Sequence, residues 1–140
     1  MLPWKLFGIL VPVVFVLDLC WLAGVMKGFY NAEIGDMAHK VNGAFVPRWS
    51  AGIFVYVLIP AGIVWFVRPA LGKDPGLWQA LAWGALFGLI LYGVYDLTNR
   101  NILEKWSWRL TLADMAWGCT LFGASAGIMQ RAERLVARGR

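Results

Sequence analysis

Four long apolar runs, separated by short polar stretches, set the pattern of this chain. They cover about residues 4–26, 49–67, 77–97 and 110–130. Each reaches the ~20 apolar residues that carry an α-helix across the hydrocarbon core of a bilayer. Such runs predict transmembrane helices, because a helix satisfies its own backbone N–H and C=O groups where no water can. The expected fold is an all-α membrane protein, a single domain over residues 1–140 built as a four-helix transmembrane bundle. Lys5 ahead of the first run gives it the look of a signal peptide. The run continues to Met26 and carries Asp18, so we read it as a retained transmembrane helix. Pro12 and Pro60 lie inside runs one and two, and Pro60 predicts a kink.

The polar stretches add detail. Between runs one and two, Ile34, Met37, Ala38 and Val41 recur at i, i+3, i+4 and i+7. That stripe predicts a short amphipathic interfacial helix between the two spans. Asn42-Gly43 reads as its stop signal. Arg68-Pro69 and Gly72-Lys73-Asp74-Pro75-Gly76 predict an exposed turn. In run three, Ala80, Gly84 and Gly88 share one face, which Tyr92 and Asp96 continue. In run four, Cys119, Gly123 and Gly127 do the same. Small residues at this spacing are helix-packing positions, since they let two backbones approach closely. The same faces could also join two copies in a homo-dimer.

Composition agrees with the membrane reading. Hydrophobic residues make up 60% of the chain, against about 45–50% in soluble domains. Trp4, Trp49, Trp65, Trp78, Trp106 and Trp108 lie near run ends, where indoles prefer the membrane interface. Trp21, Trp83 and Trp117 lie deeper. The net charge of +5 does not point to nucleic acid, because the basic residues flank the runs or gather in the tail at Arg131, Arg134, Arg138 and Arg140. They suit membrane lipid headgroups. Four spans put both termini on one side. The thirteen Lys and Arg divide almost evenly between the two sides, and the dense tail tips the reading towards cytoplasmic termini. Cys20 and Cys119 read as small buried apolar residues. His39 is the single histidine, which excludes a haem held by two histidines of this chain, and no spacing suggests a metal site.

The candidate chemistry is a set of acids inside the runs. Asp18 lies towards the end of run one, Asp96 at the end of run three and Asp114 near the start of run four. In a four-span topology all three occupy the leaflet opposite the termini, together with Ser50 and Tyr56. An ionised Asp at mid-membrane costs about 2.5–3.5 kcal/mol on insertion scales. Such groups need partners. Asp96 sits in the string Tyr95-Asp96-Leu97-Thr98-Asn99-Arg100, and Asp18-x-x-Trp21 is echoed by Asp114-x-x-Trp117, with acid and indole on one helix face. The plainer reading is that indole N–H groups, Tyr95, Thr98, Asn99 and Arg100 bond the acids and lock the bundle. The functional reading makes Asp18, Trp21, Tyr95, Asp96, Thr98, Asn99, Asp114 and Trp117 a ligand site. Three carboxylates with Asn99 would also suit a hard cation, though no motif spacing supports one. No nucleophile elbow, phosphate loop or zinc motif attaches a reaction to the acids.

Asp18-x-x-Trp21, Tyr95-Asp96-Leu97-Thr98-Asn99 and Asp114-x-x-Trp117-Gly118 resemble the bacterial domain-of-unknown-function 2177 family. Gly28-Phe29-Tyr30 and Arg68-Pro69-Ala70 extend the similarity over nearly the whole chain. Asn101-Ile102 and Lys105-Trp106-Ser107 depart from the pattern A-T-L-x-x-W-P expected there. The resemblance implies a multi-pass protein of the bacterial inner (cytoplasmic) membrane. Some members are encoded near light- or oxidative-stress genes for lipid modification, which implies a lipid-related role by association. Three functions stay open. One is a protein that holds a lipid or other apolar ligand at the acids, with no cofactor beyond a bound lipid or pigment. Another is an accessory subunit of a larger membrane complex. The last is a small proton-linked transporter.

Overall fold

The computed structural model describes residues 1–138. Helix α1, Pro3–Leu19, starts on Pro3 at its first turn, where a missing N–H costs nothing. It runs into a wide π-helical turn, Cys20–Val25, closed by the Met26 N–H on the Trp21 carbonyl at 2.8 Å. Helix α2 is Lys27–Ile34. Strands β1, Lys40–Val41, and β2, Ala44–Phe45, pair antiparallel with Lys40 opposite Phe45. Helix α3, Trp49–Gly62, contains Pro60, passes through a second wide turn at Ile63–Val67 and ends at Arg68–Ala70. Helices α4, Leu77–Ile102, and α5, Trp108–Arg138, complete the bundle.

Three helical runs are long and apolar enough to cross a membrane: Pro3–Val25, Trp49–Ala70 and Leu77–Ile102. The 31-residue α5 is not among them, though it has the length for a fourth crossing. Asp114 and many small residues lower its hydropathy, but residues Trp117 to Gln130 are largely buried. The helix continues through the basic tail as far as Arg138, and Arg140 lies outside the described residues.

The interfacial segment is a correction in register. A short helix does lie between spans one and two, but at residues 27–34 rather than along the stripe from Ile34 to Val41. Ile34 closes the helix, the Met37 and Ala38 N–H groups fold back onto its carbonyl at 2.9 and 2.8 Å, and Val41 is in β1. The Asn42-Gly43 pair explains the difference. Both residues have positive φ, 51° and 80°, which is what a two-residue hairpin turn demands. Asn-Gly here turns a hairpin and does not stop a helix.

The core fills the half of the bundle nearer the termini. Leu6, Leu10 and Val14 of α1, Ile63, Val64 and Val67 after α3, and Leu121, Phe122, Ala126 and Met129 of α5 are buried together. The α4/α5 seam runs through it. A Cβ on Gly84 would strike the Phe122 backbone, and one on Gly88 would strike the Gly118 backbone. Gly123 and Gly127 face Leu81. All four expected packing glycines are thus used within the chain, so a dimer through those faces would have to open the seam.

The other half, away from the termini, is looser. From Trp49 to Leu58 only Gly52 and Tyr56 of α3 are partly covered, and the turn Cys20–Val25 buries none of its residues. Cys20 lies on the outer surface and is not the buried residue expected, because that turn sits at the edge of the bundle. Trp4, Trp49, Trp65, Trp78 and Trp108 face outward, whereas Trp106 is only 9% exposed. The loop between α4 and α5 folds it inward against the ring of Tyr95.

Candidate functional site

The looser half contains the acids. Asp18 is carried by the last full turn of α1, where its neighbours i−4 and i−8, Val14 and Leu10, are core residues. The same face therefore turns Asp18 inward, at 7% exposure. Two donors meet it there. Trp117 Nε1 of α5 donates to Oδ1 at 2.9 Å, and the Tyr56 hydroxyl of α3 donates to Oδ2 at 2.8 Å. One carboxylate thereby ties three helices together.

The two indoles of the repeated acid-x-x-Trp pattern lie face to face, with centroids 4.4 Å apart and planes 1° from parallel. Their hydrogen bonds run crosswise. Trp117 serves the acid of the other helix, Asp18. A symmetric arrangement would have Trp21 serve Asp114. Instead Trp21 Nε1 donates to the Tyr30 hydroxyl at 3.2 Å, and that hydroxyl donates to Asp114 Oδ1. Tyr30 stands between indole and acid, held by α2. Burial pushes the Tyr30 phenol well above its ordinary value, and its bond to Asp114 adds to the effect. It stays a protonated donor across the physiological range.

Asp96 differs. Its side chain is 0% exposed, and neither carboxylate oxygen has a hydrogen-bond partner among the described residues. The Trp106 indole lies close enough to interact, but its Nε1 is not in hydrogen-bond geometry and is also buried without a partner. Arg100 Nε is in the same position. The Arg100 guanidinium sits over the Trp108 ring, 5.6 Å from its centroid. Tyr92 stands among the acids, in electrostatic range of Asp18, Asp114 and Asp96, with its ring where a Cβ on Gly118 would lie.

The structure thus gathers Asp18, Trp21, Asp114 and Trp117 into one bonded network and sets Asp96 beside it. Tyr95 and Thr98 face outward, and Asn99 is half-buried near the Tyr95 side chain. These three lie apart from the network. Among the described residues, no three His, Cys, Asp or Glu side chains converge as metal ligands. Three residues were not singled out as site residues from sequence. Tyr30 follows Gly28-Phe29 in a stretch with no periodic signal, Tyr92 lies on the small-residue stripe, and Trp106 has the position of an interfacial tryptophan.

A loop cap covers this end of the bundle. Ser107 Oγ donates to Glu33 and accepts from the Leu110 N–H at 3.0 Å, capping α5. Lys105 pairs with Asp36 at 3.0 Å and Arg109 with Glu33 at 3.5 Å. The hydrogen bond and charge of Lys105 hold the Asp36 carboxyl below its ordinary value.

A family model described as predicted membrane protein (DUF2177) matches residues 4–130. The chain belongs to this family. No curated protein and no solved structure shows detectable similarity to it. The DUF2177 match takes in every residue of the network, from Asp18 to Trp117, and stops at the end of the fourth span, just short of the basic tail.

Proposed function

We propose that this DUF2177 protein holds a lipid, or another apolar ligand with a polar head, at its cluster of intramembrane acids. The carrying observation is Asp96, a fully buried carboxylate with no donor on either oxygen. A buried polar group left unmet costs about 1–3 kcal/mol, more if charged. Intramembrane ionisable groups that persist at such a cost are functional by default. Tyr56 and Trp117 are spent on Asp18 and Tyr30 on Asp114, while Trp106 Nε1 and Arg100 Nε are buried donors without partners. Unmet acceptors and unmet donors occur together, so the complementary ligand carries hydroxyl groups on its head, which both donate and accept. The open half of the bundle offers half-buried Trp21, Tyr92 and Asp114 as an approach from the lipid. The protein would work in a cytoplasmic membrane with both termini inside.

The test is native mass spectrometry of protein extracted gently from its own membranes. A defined ligand mass on the wild type, lost in Asp96→Asn with the fold intact, is the expected result. Protein without adducts, or the same adduct in the variant, would sink the reading.

A second reading, an accessory subunit of a membrane complex, draws on the outward apolar face of α3. Trp49, Ile53, Phe54 and Leu58 are exposed there within the leaflet of the acids. It expects a stoichiometric partner that survives Asp96→Asn and is lost when Phe54 becomes Ala.

A further inference from the structure

On the side of the termini, at the opposite end of the bundle from the acids, lies a cavity of about 580 Å³. Its walls are the turn from Leu71 to Pro75, the end of α3 and the last turns of α5. It therefore opens where two helices leave the hydrocarbon, at the level of the lipid heads.

The turn is held in place. Gly72 and Asp74 take positive φ, 73° and 50°, which folds it tightly. Gln79 Nε2 donates to the Leu71 carbonyl at 3.1 Å. Gln130 Nε2 and an Arg134 nitrogen both donate to the Pro75 carbonyl at 2.9 Å. Gln130 is itself buried, 3% exposed.

The lining carries four cationic groups, the Met1 ammonium, Arg68, Lys73 and Arg134, and two carboxylates, Asp74 and Glu133. The ammonium is paired with Glu133 at 3.3 Å. Arg68 is committed. It donates to Glu133 through Nε at 3.1 Å and through a terminal nitrogen at 2.7 Å, and to the Met1 carbonyl at 2.9 Å. Lys73 makes no ion pair among the described residues. Arg134 uses one terminal nitrogen on Pro75 and has further N–H groups to offer. The uncommitted donors at the mouth are therefore cationic. The same lining includes apolar Pro69 and Leu71.

We propose that this cavity binds a phosphate group through Lys73 and Arg134, and that the phosphate is the head of an anionic phospholipid. Cationic N–H donors are the ordinary partners of phosphate oxygens. A free phosphate carries the same chemistry, so the test separates the two sources.

Delipidated full-length protein in detergent is titrated with phosphatidylglycerol, phosphatidylcholine or inorganic phosphate and read by native mass spectrometry. The expected result is at least tenfold stronger retention of phosphatidylglycerol than of phosphatidylcholine. Lys73→Glu should abolish that preference, because Lys73 is exposed and bonds nothing whose loss would disturb the fold. Arg134→Gln should weaken it, and Lys27→Glu, on the other side of the membrane, should leave it unchanged. Equal retention of both lipids, or a preference that survives Lys73→Glu, would overturn the proposal. Lys73-dependent binding of inorganic phosphate without any lipid preference would overturn the lipid assignment and give the cavity to soluble phosphate.

Discussion

The α4/α5 seam and the contact of α1 with α5 join helices in opposite ways. Along the seam, Gly84 and Gly88 let α4 lie against the backbone of Phe122 and Gly118. The attraction there is dispersion, spread over many atoms and indifferent to pH. Between α1 and α5 the half nearer the termini shares the apolar core, but in the other half the tie is a few directional groups, the Asp18–Trp117 bond, the stacked indoles and the Tyr30 bridge to Asp114. Lipid supplies no hydrophobic force between helices, so each interface depends on its own device. The seam leaves no space between its helices. The network holds its helices through groups that each need a partner, and on the proposed function a ligand supplies one.

The comparison breaks most sharply at the seam. Gly88→Leu has no room against the Gly118 backbone and should destabilise the protein by about 3 kcal/mol or more. Yield of folded protein and unfolding in denaturing detergent measure it, and near-native stability would mean the helices do not meet there. Trp117→Phe keeps an aromatic ring opposite Trp21 but strips a donor from buried Asp18. The expected loss is about 1–3 kcal/mol, read as a lower melting temperature. Tyr30→Phe removes the donor that Asp114 has in this structure, and at this half-buried site should cost about 1 kcal/mol.

Smaller still is an effect of pH at the far end of the molecule. Burial would raise the Glu133 carboxyl, but hydrogen bonds and charge from Arg68, joined by the terminal ammonium, outweigh it and hold the group below its ordinary value of 4.5. A carboxyl depressed in the folded state contributes stability in full above its unfolded value and loses it as the pH falls below. The melting temperature should therefore be flat in this respect from neutral pH to about 5 and decline beneath that. Glu133→Gln should flatten the decline. Asp96→Asn should not destabilise the protein, because no hydrogen bond is lost with the acid and a chargeable group is removed from a buried site; an unchanged or slightly raised melting temperature is expected. That variant sharpens the contrast by separating ligand retention from folding.

Much of this was legible in the chain. Lipid demands about 20 apolar residues per crossing, so the spans announce themselves, and counting from their ends places Asp18, Asp96 and Asp114 at one depth. The glycine spacing in runs three and four shows that backbones approach, but spacing on one helix does not name the helix it meets. The crosswise bonds were hidden for the same reason. Asp18 and Trp21 lie three apart on one face, yet the indole that reaches Asp18 is Trp117, and only the packing of α1 on α5 decides that. Tyr30 was hidden because α2 is short and its position over the bundle depends on the wide turn before it. The stripe from Ile34 to Val41 misled because four apolar positions at helical spacing were outweighed by the positive-φ turn that Asn42-Gly43 provides.

The stacked pair of Trp21 and Trp117 has an optical consequence. At 4.4 Å and nearly parallel, the two indoles are close enough to share electronic excitation, so their absorption and emission belong to the pair. A molecule entering beside Asp114, or a slide of α1 along α5, would change their separation and with it that shared signal. The protein carries a built-in gauge of its open half, set against seven other tryptophans that lie outside the stack.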